Sequence, residues 1–161
     1  LPDAQAAYES SNTLNAAMLG GVNFMLHSCG WLEGGLVSSF EKFVMDADQL
    51  GSLQKMSLGV SADENAQAMG AIREVGPSGH YLGCEHTQNN FKSAFWRSDL
   101  FDYKPFETWY EEGARDTATL ASERVTRQLA DYQQPSLDPE ILAALEKYVA
   151  QKKAESPDAF V

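Results

Sequence analysis

The chain has 161 residues, 43% of them hydrophobic and 22% charged, which suits one globular segment and excludes general disorder. Its formal charge of −11, with no cluster of Lys or Arg, argues against a nucleic-acid partner, since phosphate binding needs a concentrated basic surface. No apolar run approaches the ~20 residues needed to cross a bilayer, and the chain does not open on a signal-peptide pattern, so no membrane partner is expected.

Taken in chain order, the first expected element is an alanine-rich helix from Asp3 to about Met18, with Ala7, Leu14, Ala17 and Met18 able to share a face and Gly20-Gly21 ending it. The chain starts Leu1-Pro2-Asp3 without a methionine and runs straight into that helix, so a portion upstream is expected. Val22 to Leu26 is a short apolar run between glycines. Such a run suits a strand buried on both faces, which belongs mainly to parallel sheets flanked by helices.

Folds of that kind keep their chemistry just beyond the carboxyl ends of the strands. The segment that follows, His27-Ser28-Cys29-Gly30-Trp31-Leu32-Glu33-Gly34-Gly35, is crowded with glycines and reactive groups and falls at that place. The plainer alternative is a strand-to-helix connection whose glycines only turn the chain.

Phe40, Phe43, Val44, Leu50 and Leu53 recur at helical spacing, giving a helix from about Val37 to Gln49. Glu41, Asp46 and Asp48 on it read as solvated or capping groups. Ser61 with Glu64 three residues on reads as a capping box, opening a helix that closes at Gly76-Pro77. From Gly76 to Tyr103 the pattern weakens into loops with one short helix or strand. Pro105 opens a long helix running to about Tyr132, 133–137 is a linker, and Asp138-Pro139-Glu140 starts a last helix striped by Ile141, Leu145, Tyr148 and Val149.

The expected class is therefore α/β, dominated by helices and with few strands. One to three strands cannot close a sheet. Either this is part of a larger α/β barrel or it is a helical body around a stub of sheet, and the apolar character of Val22 to Leu26 favours the barrel. A strand edge left unpaired also calls for association, with a second copy or with the missing portion, and a homo-oligomer is expected.

Two constellations carry chemistry. His27, Cys29, His80, Cys84 and His86 are residue types that zinc prefers, but His80-x3-Cys84-x-His86 is not a usual finger or ribbon spacing. The plainer reading makes the two cysteines small buried hydrophobes and the histidines partners of loop backbone. With only two cysteines and no disulfide framework, a reducing cytoplasm is expected. The second constellation is a set of aromatics in or near loops, Trp31, Tyr81, Phe95, Trp96 and Tyr103, with the Glu33 carboxylate near Trp31 in sequence. Aromatic faces beside a carboxylate hold quaternary ammonium groups, although aromatics are also ordinary core.

Several motifs in register then resemble one family. They are Pro2-Asp3-Ala4-Gln5-Ala6-Ala7-Tyr8-Glu9, Gly30-Trp31-Leu32-Glu33-Gly34-Gly35, Glu41-Lys42-Phe43-Val44-Met45-Asp46-Ala47-Asp48, Glu74-Val75-Gly76-Pro77-Ser78-Gly79-His80-Tyr81-Leu82-Gly83, His86-Thr87-Gln88 and Leu100-Phe101-Asp102-Tyr103-Lys104-Pro105. In this order, over essentially the whole chain, they resemble the trimethylamine methyltransferase family.

The resemblance implies a corrinoid-dependent methyltransferase on a TIM-type barrel, of which this chain is the C-terminal third. Residues 1–104 are then barrel strand-helix units and catalytic-end loops, and residues 105–161 are terminal helices. It implies methyl transfer from a tertiary or quaternary methylated amine to Co(I) of a cobalamin carried by a separate corrinoid protein, with no zinc. Under it, Glu33 is the candidate catalytic residue. His27, Trp31 and Tyr81 become substrate-binding candidates, His27 orienting the carboxylate of a betaine, and His80 and His86 candidates for the pocket rim or for contact with the corrinoid. In the amine-specific branch a pyrrolysine lies just upstream of the Pro-Asp-x-Gln-Ala motif, where this chain begins, so the substrate stays open. A zinc-dependent enzyme and a non-catalytic helical binding module are the readings that compete with it.

Overall fold

In the computed structural model, which describes residues 1–156, eight helices and one pair of very short strands follow one another along the chain. Helix α1, Ala4–Leu19, starts where the Asp3 carboxylate accepts the Ala6 N–H at 3.2 Å and ends at Gly20. Gly21, at φ 73°, takes the left-handed turn that a side chain resists.

The strand expected over Val22 to Leu26 is not formed. That stretch is irregular, and Val22, Phe24 and Leu26 are exposed rather than buried on two faces. Locally, the Ser28 hydroxyl donates to the Met25 carbonyl at 2.9 Å, and His27 sits at φ 56°, outside extended backbone. An apolar run needs a hydrogen-bonding neighbour to become a strand, and among the described residues none pairs with this one.

The strands lie just beyond. Trp31–Leu32 (β1) and Val37–Ser38 (β2) pair antiparallel, Trp31 opposite Ser38 and Leu32 opposite Val37. A 3-10 turn at Glu33–Gly35 joins them, with Gly34 at φ 62° and Gly35 at φ 92°. Helix α2, Phe40–Ser57, therefore begins three residues later than the periodicity suggests, with the Ser39 hydroxyl accepting the Lys42 N–H at 3.2 Å.

Helix α2 is the spine of the segment Leu1–Gln128, which forms one compact unit. It packs against α1 and contributes Val44 to a small core with Leu100 and Ala121, flanked by Met45, Phe101, Leu120 and Val125. The Asp48 carboxylate accepts the Ser98 hydroxyl at 2.5 Å and the Asp99 N–H at 3.2 Å, tying the Ser98 turn to α2.

The next helix is split into α3, Glu64–Gln67, and α4, Met69–Val75, because Ala68 adopts φ 51°. The expected capping box at Ser61 is replaced by an Asp63 cap, whose carboxylate accepts the Ala66 N–H at 2.8 Å while the Ser61 hydroxyl donates to it at 2.6 Å. Cys84 precedes α5, Glu85–Asn90, the one helix of the weakly patterned stretch.

The long helix expected from Pro105 is likewise two, α6, Phe106–Glu111, and α7, Thr117–Ala130. Gly113 at φ 101° and Ala114 at φ 50° break it. The Trp109 indole N–H donates to the Arg115 carbonyl at 2.9 Å, and Asp116 opens α7 by accepting the Thr119 N–H at 2.8 Å.

A second compact unit, Leu129–Val161, is built on α8, Pro139–Glu155. It starts where expected: the Asp138 carboxylate accepts the Glu140 and Ile141 N–H groups at 2.9 and 3.4 Å. Its apolar stripe, including Ile141, Leu145 and Tyr148, is exposed. No helix among the described residues is long and apolar enough to cross a membrane.

Candidate functional site

The glycine-rich segment after Leu26 and one face of α1 enclose a cavity of about 400 Å³. On the helix side the wall is Ala6, Ser10, Leu14 and their neighbours at helical spacing. On the loop side it is His27, Trp31 and Glu33.

Left-handed backbone makes the loop curl around the space. Among non-glycine residues His27 and Glu33 both take positive φ, 56° and 51°, and Gly30 between them takes 82°. Such residues cost of order 1 kcal/mol each and persist only where the surroundings over-determine them. The curl brings the His27 and Trp31 rings to a centroid distance of 4.9 Å at 54°.

Behind the loop lies a buried ion pair. The Lys42 ammonium reaches the two Asp46 carboxylate oxygens at 2.5 and 2.6 Å and also donates to the Ser10 hydroxyl at 2.6 Å. Asp46 accepts the Gly30 N–H at 2.9 Å, and the Gly30 carbonyl accepts the Ser39 N–H at 3.0 Å. Lys42 is 1% exposed and Asp46 5%, so the expectation of a solvated or capping Asp46 is corrected. A buried ion is tolerated only when paired and hydrogen-bonded, and among the described residues no buried side-chain nitrogen or oxygen lacks a partner. The signal in the sequence was the i,i+4 Lys/Asp spacing, which equally marks ordinary surface pairs.

Cys29 lies at the edge of this network. Burial first, and then the Asp46 carboxylate, push its thiol pKa up, against the opposing pull of the Lys42 ammonium. The buried Cys84 sulfur lies 3.2 Å from the Thr87 hydroxyl, and His86 Nε2 lies 2.7 Å from the Asn65 carbonyl oxygen. Among the described residues no three His, Cys, Asp or Glu side chains are grouped to hold a metal ion.

The structure thus brings His27, Trp31 and Glu33 to one cavity and leaves His80, Tyr81 and His86 outside its lining. His80 and Tyr81 are exposed in the loop after α4, and His86 faces α3 from α5. Of the other loop aromatics, Trp96 packs on Gly51 of α2, where an added Cβ would lie 3.3 Å from its ring, and Phe95 and Tyr103 are exposed.

Among the described residues no Lys or Arg lines the cavity, whereas Glu9 and Glu33 do. An aromatic residue with acidic residues beside it suits a cationic group.

The family model of trimethylamine methyltransferase (MTTB) matches residues 1–157. The glycine betaine methyltransferase of Desulfitobacterium hafniense (strain Y51) is 43% identical over 153 residues, covering 95% of this chain and 32% of its own length. The proline betaine:corrinoid methyltransferase of Eubacterium limosum is 32% identical over 141 residues, 84% of this chain and 28% of its own length. The trimethylamine methyltransferase MttB2 of Methanosarcina mazei is 29% identical over 151 residues, 92% and 30% respectively. The chain spans about a third of the length of these curated relatives.

Proposed function

The chain belongs to the trimethylamine methyltransferase family, and from that premise we propose that it is part of a corrinoid-dependent methyltransferase. Its reaction moves a methyl group from a quaternary or tertiary methylated amine to Co(I) of a cobalamin carried by a separate corrinoid protein. Glycine betaine is the first substrate to test, because the relative of that name shares 43% identity with this chain. In this reading residues 1–104 supply strand-helix units and catalytic-end loops of a TIM-type barrel, residues 105–161 its terminal helices, and the whole is a cytoplasmic homo-oligomer.

The observation that carries the proposal is the cavity in which His27, Trp31 and Glu33 meet within a chain matched along residues 1–157. Displacement at a methyl carbon requires in-line approach, so the protein's work is to hold the methyl-nitrogen bond in one direction. The Trp31 face and the Glu33 carboxylate hold the cation, and His27 orients the carboxylate of a betaine. The partner's Co(I), when bound, would supply the electron pair for the new bond to the methyl carbon as the carbon–nitrogen bond breaks toward nitrogen; a quaternary ammonium, or a tertiary amine bound as its protonated ammonium, then leaves as the neutral demethylated amine.

The corrinoid belongs to the partner protein in this proposal. His86 Nε2 lies 2.7 Å from the Asn65 carbonyl oxygen, which fixes the ring against α3. His80 and His86 are assigned to the pocket rim or to contact with the corrinoid, and Tyr81 to meeting the substrate at entry.

The test is spectrophotometric. The full-length protein is mixed with cob(I)alamin and glycine betaine, trimethylamine or proline betaine, and the loss of Co(I) absorbance is followed. Faster turnover of glycine betaine than of trimethylamine is expected. No methylation of Co(I) by any of the three overturns the proposal.

A further inference from the structure

The cavity's two walls are joined by a single buried network. Ser10 belongs to the α1 wall and receives a hydrogen bond from Lys42; Gly30 belongs to the loop that carries His27 and Trp31, and donates its N–H to Asp46. Lys42 and Asp46, one turn apart on α2, are bonded to each other, so the helix wall and the loop wall are both referred to the same two charges.

Gly30 has little freedom beyond this. Its N–H is held by Asp46 and its carbonyl by the Ser39 N–H, and an added Cβ would meet the Phe43 Cβ at 3.1 Å, the Ser38 hydroxyl at 3.2 Å and the Ser39 carbonyl at 3.3 Å. The residue lies three positions after His27 and immediately before Trp31. Its placement therefore sets where both rings stand.

We propose that Asp46 is a positioning residue for the methyl-transfer site, acting through the Gly30 N–H and, by way of Lys42, through Ser10 to fix the His27–Trp31 wall against α1. It touches no substrate. The inference rests on the methyltransferase reading of the cavity and names the group that keeps the cavity in shape. A pair kept for stability alone is replaceable by apolar side chains at little cost. A pair kept for position is not, because no apolar side chain accepts the Gly30 N–H.

The experiment compares Asp46→Ala, Asp46→Asn and the double variant Lys42→Met/Asp46→Leu in the full-length protein. Hydrogen exchange is followed over residues 26–36 and, as a check of folding, over residues 117–130, together with KM and kcat for glycine betaine. The double variant guards against Asp46→Ala simply failing to fold with an unpaired Lys42. Expected are exchange over 26–36 faster by roughly tenfold or more in Asp46→Ala and in the double variant, with 117–130 unchanged, and a KM raised by roughly tenfold, as loss of orientation implies. Asp46→Asn, which keeps an oxygen for Gly30, returns most of both.

Unchanged exchange over 26–36 overturns the inference, and so does faster exchange with a wild-type KM. A folded double variant with wild-type KM overturns it too, since the pair would then be structural only. A wild-type protein that methylates no Co(I) overturns the functional reading instead, and the exchange arm still decides whether Asp46 holds the loop.

Discussion

The His27 and Trp31 rings stand 4.9 Å apart, centroid to centroid, with their planes inclined at 54°, in a loop whose backbone turns left-handed at His27. One ring carries hydrogen-bonding nitrogens and the other an electron-rich face; under the proposed function the imidazole would meet the carboxylate of a betaine and the indole its ammonium. A cation over an aromatic face gains about 0.5–2 kcal/mol, depending on how dry the site is. Trp31→Leu, which keeps apolar bulk and removes the ring, is expected to raise KM for glycine betaine by roughly threefold to thirtyfold, and Trp31→Phe by less. An unchanged KM in Trp31→Leu, measured by initial rates of Co(I) methylation, removes Trp31 from the site.

Glu33 combines two properties that one substitution each can separate. It lines the cavity and its backbone sits at φ 51°. Glu33→Gln keeps the size and loses the charge, and at an ion separation of about 4 Å in a wet site that charge is worth about 1 kcal/mol, or roughly fivefold in kcat/KM. Glu33→Gly loses the charge as well but relieves the left-handed strain, so it is expected to raise the unfolding midpoint in urea while lowering kcat/KM at least as far. A Gln variant that transfers methyl groups at the wild-type rate takes Glu33 out of the catalytic role.

Which parts of this were legible in sequence follows from where the information lies. Helix α8 announces itself through Asp138, because a cap is a local interaction between a side chain and N–H groups two or three residues on, and α1 through its alanine-rich run. Val22 to Leu26 misleads because an apolar run records only a preference for burial. Whether it becomes a strand depends on a hydrogen-bonding neighbour, and Phe24 stands 78% exposed without one. The break at Gly113 and Asp116 was written as a helix stop followed by a helix start, yet the apolar periodicity running across it concealed both. At the site, His27, Trp31 and Glu33 were visible because glycines crowd around them. The Lys42–Asp46 pair was not, since its burial depends on α1 packing over it, a relation between residues 32 positions apart at Ser10.

The loop after α4 tests whether its glycines differ in kind. A Cβ on Gly79 would lie 2.5 Å from the Val75 carbonyl oxygen and 2.7 Å from its Cγ1, closer than backbone can yield without moving. Gly83 faces open space. Gly79→Ala is expected to destabilise by about 1–3 kcal/mol through overpacking, whereas Gly83→Ala leaves stability unchanged or raises it by up to about 1 kcal/mol through a less flexible unfolded chain. Urea midpoints of the two variants settle it, and equal midpoints remove the Val75 contact as a constraint on this loop.

Cys29 gives the site a pH dependence whose sign is fixed by the direction of its shift. Burial, and then the Asp46 carboxylate, raise its pKa, so the folded chain holds the thiol proton more tightly than the unfolded chain does. The stabilisation is fully present below the ordinary thiol value of ~8.5 and is lost as the pH rises through the higher folded value. Cys29→Ala removes the titrating group. The stability advantage of wild type over this variant is therefore expected to be constant at neutral pH and to shrink in the alkaline range. Alkylation offers a direct reading, because only the thiolate reacts. With iodoacetamide, followed peptide by peptide in the mass spectrometer, modification of Cys29 should reach half its maximal rate at a pH above that of a free thiol. A half-maximal pH at or below ~8.5 contradicts the effect assigned to burial and the Asp46 carboxylate.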